Sequence, residues 1–145
     1  MSEHRVQVEW TRNGGEFGSG YDRSHWWRFD GGVEVPASSA PGLSGDPSRV
    51  DPEEAFVASI SSCHMLWFLL LAGDAGFVVD RYTDAAVGTM ARGDEGTICI
   101  TEVDLHPDIV WSGRPPSTAD IDALHHASHE RCFIANSVRS TITIH

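Results

Sequence analysis

Between Asp51 and Gly76 the sequence specifies one long apolar helix with both ends marked, and any fold must be built around it. Asp51 is a capping residue, Pro52 suits the first helical position, and Glu54 can reach back to the cap. The helix is expected to run to about Gly73, with Gly76 as a further stop signal. Its apolar residues surround much of its circumference, which predicts a central helix buried on most sides. The uninterrupted apolar part, Met65 to Ala72, is too short to span a bilayer, and Ser59, Ser61, Ser62 and His64 interrupt the rest.

Other elements group around this helix. Arg5 to Trp10 alternates polar and apolar residues as a half-buried strand does. Tyr21 to Asp30 and Val33 to Val35 follow across glycine pairs, predicting an antiparallel meander. Residues 36–50 are rich in Pro, Ser and Gly and read as a long loop, with Trp26 and Trp27 as candidates to shape an apolar pocket beside it. Phe77 to Arg92 and Thr97 to His106 predict two strands turning at Gly93 to Gly96. Ser117 and Asp120 are spaced as a capping box for a second helix reaching roughly Cys132, and Val138 to Ile144 supplies a last strand. Strands come in groups rather than alternating singly with helices. The fold class is therefore α+β, with mostly antiparallel sheets on a helical centre.

The length of 145 residues suits a single domain over residues 1–145. Asp and Glu number 21 against 10 Lys and Arg, a balance of -11 that repels phosphate backbones and disfavours nucleic acid. There is no basic amphipathic helix to seek an anionic membrane. The N-terminus runs into a strand without an apolar leader, which predicts a cytoplasmic protein. Cys63, Cys99 and Cys132 are an odd number, widely separated and without a CxxC pair. They read as core filler, metal ligands or catalysts rather than a secreted disulfide scaffold.

Two of these cysteines stand in distinctive surroundings. Asp51-Pro52-Glu53 is followed ten residues later by Cys63. His129-Glu130-Arg131-Cys132 is followed four residues on by Asn136, and Arg23 lies ahead of the Asp30-Gly31 turn. These segments, in this order, resemble the OsmC/Ohr family of thiol-dependent peroxidases over most of the chain. The resemblance implies an intertwined homodimer, with long central helices between two sheets. It implies no cofactor and a two-cysteine cycle on organic hydroperoxides. Cys63 would attack the peroxide and become a sulfenic acid, Cys132 would condense with it to a disulfide, and a small dithiol or lipoyl-type reductant would restore both. Arg23 would activate the thiol and Glu53 would hold the guanidinium. The sequence departs from the family at Phe133, where many members carry Pro.

Physical chemistry fits these roles. A free thiol is only about 3% ionised at pH 7, so a reactive cysteine needs help from its surroundings, and a guanidinium is one source. Ten helical residues span about 15 Å, so Glu53 and Cys63 of one chain cannot share a compact site. If they act together, one comes from a partner chain, which predicts active sites at a dimer interface. Cys99, between Ile98 and Ile100, reads as packing. Two rivals stand beside this reading. His125, His129 and Cys132 share a helical face and with Cys63 or His64 could form a zinc site. The chain could also be a ligand-binding domain of the same fold without activity.

Overall fold

The computed structural model describes all 145 residues. Its contacts divide the chain into two compact units, Met1–Ala55 and Phe56–His145.

In the first unit, β1 (Val6–Glu9), β2 (His25–Phe29) and β3 (Glu34–Ala37) form the predicted antiparallel meander. Val8 stands opposite Trp27, and Trp27 opposite Val35. Arg28 on the middle strand ties the sheet by pairing with Glu9 on β1 and Glu34 on β3. Little is buried here beyond Ala37, Ser38 and Asp51, while Val6, Val8, Phe29 and Val33 stay exposed. A cavity of about 300 Å³ does lie at Trp26, but it is polar: Glu9, Asp22, Arg28 and Arg49 line it. The expected apolar pocket is therefore not built there, because charged side chains from β1, β2 and the loop surround the indole.

Helix α1 (Pro52–Asp74) starts as its cap residues dictate. The Glu54 N–H donates to Asp51 Oδ1 at 2.8 Å, and the Asp51 N–H donates to Glu54 Oε2 at 3.2 Å. It ends where Gly76 takes φ 80°, letting the Phe77 N–H return to the Ala72 carbonyl at 2.9 Å. The whole helix is long and apolar enough to cross a bilayer by length and composition, more than its Met65–Ala72 stretch suggests. It packs instead as a core helix, through one stripe. Ile60, His64, Phe68 and Ala72, each four residues apart, are its buried residues. The opposite face is open, with Leu66 61% and Leu70 52% exposed. The expectation of burial on most sides thus fails in the single chain, whose other elements cover only one side of α1.

The second unit holds two further sheets. β4 (Val78–Asp84) pairs antiparallel with β7 (Pro107–Ser112). β5 (Val87–Arg92) pairs with β6 (Ile98–Leu105) as the predicted hairpin, and β8 (Thr141–Ile144) adds to β6 in parallel. The single strand expected over Phe77–Arg92 breaks at Ala85–Ala86. Asp84 anchors that corner: its carboxylate accepts the Ser61 hydroxyl from α1 and the His106 N–H. The break sends β4 and β5 into different sheets. Helix α2 (Thr118–Arg131) begins with the expected Ser117–Asp120 capping box. One core cluster gathers Ile60, Val103 and Leu105; the other gathers Phe68, Ala72 and Leu124, with Tyr82 and Trp111 against them. Fully burying a side chain such as Ile60 or Phe68 is worth roughly 1.5–3 kcal/mol, so these two residues add to the Ser61–Asp84 bond in holding α1 against the sheets.

Candidate active site

Cys63 and Cys132 meet although 68 intervening residues separate them in sequence. Cys63 comes from the middle of α1, and Cys132 is the C-terminal cap of α2, where its N–H donates to the His129 carbonyl. The two side chains are close enough for Cys63 to perturb the Cys132 thiol, and both are free thiols. Their surroundings differ. Cys63 is half-buried, whereas Cys132 is fully buried. Burial first, and then the bond to Cys63, push the Cys132 thiol up to about 11; the Ala135 N–H, donating to its Sγ at 3.3 Å, works the other way. Cys132 thus keeps its proton, while Cys63 is the sulfur that can be reached from outside.

An aromatic group frames the pair. Trp67, one turn after Cys63, meets Phe133 edge-on at 5.6 Å, and the Arg131 guanidinium lies 5.9 Å from the Trp67 ring centre. Phe133 is 71% exposed, so the group presents an apolar lip to solvent. Sequence reasoning noted Phe133 only as a departure from the family and missed Trp67. Its spacing of four residues from Cys63 was the available signal.

Arg23 and Glu53 both belong to the first unit. The Arg23 guanidinium donates to the Tyr21 carbonyl at 3.0 Å and the Ser19 carbonyl at 3.1 Å, and lies 4.7 Å from the Tyr21 ring centre. Glu53 stands in the first turn of α1, where its charge favours the helix end. No ion pair links Arg23 to Glu53 within the chain. Cys99 lies half-buried on β6, opposite Ala91.

Two of the histidines proposed as zinc ligands, His64 and His125, bond one another instead. His64 Nε2 meets His125 Nδ1 at 3.0 Å, and the rings lie within 9° of parallel. Phe68 packs against His125 at 4.4 Å. His64 Nδ1 and His129 Nδ1 are buried without hydrogen-bond partners. A bare ring nitrogen is better tolerated there than a stranded N–H, so His64 carries its proton on Nε2 and donates to His125. Burial, and then the neighbouring histidines, hold His64 down to about 4, with Asp84 opposing; burial also lowers His125. No group of three or more His, Cys, Asp or Glu side chains is arranged to hold a metal ion.

Comparison with known proteins agrees with this architecture. An OsmC-like protein of unknown function from Vibrio cholerae superposes with a TM-score of 0.97 at 42% identity, over 100% of this chain and 99% of that one. An organic hydroperoxide resistance protein from Elizabethkingia anophelis superposes at 0.71 and 22% identity, over 99% and 93% of the two chains. OhrB of Bacillus subtilis does so at 0.68 and 16%, over 99% and 95%. These last two likenesses show the fold alone. No curated protein matches the sequence. Residues 45–145 match the OsmC-like protein family, and with the α+β fold and the Vibrio relative this establishes that the chain belongs to the OsmC family.

Proposed function

We propose that this protein is a thiol-dependent peroxidase of organic hydroperoxides. The observation that carries the reading is the contact between an accessible thiol, Cys63, and a sealed, protonated one, Cys132. Cys63 attacks the terminal peroxide oxygen, the O–O bond breaks, and an alcohol leaves with a proton. Cys63 becomes a sulfenic acid, which Cys132 converts to a disulfide as water departs. A small dithiol or lipoyl-type reductant then restores both thiols, without a bound cofactor. The apolar lip of Trp67 and Phe133 suits a substrate with an organic tail rather than hydrogen peroxide.

The working unit in this reading is a cytoplasmic homodimer in which each chain acts as one domain. The open face of α1 and the uncovered apolar residues of the first unit supply the surface for it. Arg23 and Glu53 serve Cys63 across that interface, since helix rise sets Glu53 about 15 Å from Cys63 of its own chain. The test is intact-mass analysis after one equivalent of an alkyl hydroperoxide. A loss of two hydrogens, mapped to Cys63 and Cys132, is expected, and Cys63→Ser should abolish peroxide consumption. Wild-type protein inert to organic hydroperoxides with several dithiols would replace this reading with a ligand-binding domain of the same fold.

A further inference from the structure

Attack on a peroxide needs one sulfur, whereas closing the disulfide needs two, held to a narrow separation. On the peroxidase reading above, on which this inference rests, Cys132 attacks the Cys63 sulfenic acid. The S–H bond of Cys132 and the S–O bond of Cys63 break, the S–S bond forms, and the hydroxide leaves with the proton as water. A second peroxide molecule competes for the same sulfenic acid, oxidising it to sulfinic acid and releasing another alcohol. A disulfide closes only where the two Cα atoms lie about 4.4–6.8 Å apart, so a Cys132 segment free to drift from α1 loses that race.

Helix α2 is joined to α1 at His125, which meets His64 and Phe68. Cys132 lies two turns further on, at the helix cap, where the backbone has already left helical geometry with ψ 110°. Asn136 Nδ2 donates to the Cys132 carbonyl at 3.0 Å and to the Glu130 carbonyl at 2.9 Å, and the Ala135 N–H donates to the Cys132 sulfur. These bonds stay within residues 130–136, so they shape the turn without tying it to α1.

Beside the thiols themselves, two contacts make that tie. Ile134 packs against the cluster of Ile60, Val103 and Leu105. Trp67 meets both chain neighbours of Cys132: the Phe133 ring edge-on at 5.6 Å between centres, and the Arg131 guanidinium at 5.9 Å from the indole centre. On α1, Ile60 stands three residues before Cys63 and Trp67 four residues after it, about one turn to either side. Cys63 therefore sits between the two grips. Ile60 is buried and serves the whole core, whereas Trp67 is half-buried and belongs to neither core cluster. We propose that Trp67 is the positioning residue of the resolving step: its indole, clasped by Arg131 and Phe133, holds the end of α2 so that Cys132 stays within reach of Cys63.

The experiment mixes reduced full-length protein with an alkyl hydroperoxide and follows the products by quenched-flow intact mass. Gain of one oxygen marks sulfenic acid; its conversion to the species lacking two hydrogens marks the disulfide. Only this second phase is the readout. It is unimolecular, so it is independent of peroxide concentration and of any part Trp67 plays in substrate binding. In Trp67→Ala it should slow at least about tenfold, since a misplacement near 1 Å can cost on the order of 100-fold. Raising the peroxide concentration should then divert Cys63 to the species bearing two oxygens. Trp67→Phe keeps a ring for Phe133 to meet and should stay within about threefold of wild type. Phe133→Ala, at a residue 71% exposed, should slow the same phase more than about threefold. The double variant, Trp67→Ala with Phe133→Ala, should be no slower than the slower single one, because both cut the same clasp. A second phase in Trp67→Ala within about threefold of wild type, an equal loss in Trp67→Phe, or effects of the two residues that multiply, overturns the proposal. If Trp67→Ala does not fold, Phe133→Ala decides, and a wild-type second phase there overturns it as well. Failure of the peroxidase reading looks different, because the oxygen-bearing species and the disulfide are then both missing from wild-type protein.

Discussion

Acid should weaken this fold through His64, buried against His125. His64 is 1% exposed, and burial, assisted by the charges of His125 and His129, holds it at about 4 against an ordinary 6.5. In the unfolded chain the ring protonates near its ordinary value. Between the two values the unfolded state binds a proton that the folded state refuses, so stability rises with pH across that window. The contribution is complete above about pH 6.5, shrinks as pH falls, and is gone below about 4. At roughly 1.4 kcal/mol per pH unit, the gap corresponds to about 3 kcal/mol. His125 is shifted in the same direction by burial and adds to the effect. Asp22, Asp46 and Asp120 are lowered from 3.8, so their losses fall below this window. The assay is urea unfolding from pH 4.5 to 7.5, for wild type and His64→Gln. The variant should be less stable at pH 7, having lost the bond to His125, but its slope below pH 6.5 should be shallower by up to about 1.4 kcal/mol per pH unit. Equal slopes, or a His64 ring titrating near 6.5 by NMR in the folded protein, would refute the reasoning.

Three further outcomes are expected. Gly45→Ala should cost at least about 2 kcal/mol in chemical denaturation, because the new Cβ would fall 1.5 Å from the Ser39 carbonyl oxygen and force the loop before α1 to move. If the proposed homodimer forms on the open face of α1, Leu66→Glu with Leu70→Glu should shift it to monomer in analytical ultracentrifugation while leaving the circular dichroism of the helices in place, and a variant that still sediments as the wild-type dimer would refute that interface. Cys99→Ser should keep peroxide turnover within about twofold of wild type in a colorimetric assay, since its sulfur packs by Gly93 rather than near the thiol pair.

Helix ends were legible because their chemistry is local. The Asp51–Glu54 and Ser117–Asp120 exchanges require only residues three apart, and Gly76 alone permits the left-handed turn that ends α1. The Gly93–Gly96 hairpin was legible for the same reason. What escaped is non-local. Residues 107–112 carry little alternation and open on Pro107, yet they form a strand because β4 offers an edge, and proline is tolerated as the first residue of a strand. The break at Ala85–Ala86 has no glycine or proline to announce it; it depends on Asp84 reaching Ser61 and His106. Sequence spacing put His125 and His129 on one face of α2, but could not say that His64 would meet that face and take His125 as its partner.

The placement of Cys63 follows from helical geometry once the buried stripe is known. Successive residues turn about 100° around an α-helix. Ile60, His64, Phe68 and Ala72 mark the covered side, and Ser62, Leu66 and Leu70 mark the open one. Cys63 and Trp67 fall between them, on the flank where α1 meets the end of α2. A cysteine one position later, in place of His64, would be sealed in the core; one position earlier, in place of Ser62, it would face outward, away from Cys132. The flank alone lets one sulfur touch a buried partner and still be reached from outside. The same geometry ties reactivity to assembly. A second copy seated on Leu66 and Leu70 would form one wall of the approach to Cys63, so loss of that contact should lower peroxide turnover even where both thiols remain in place.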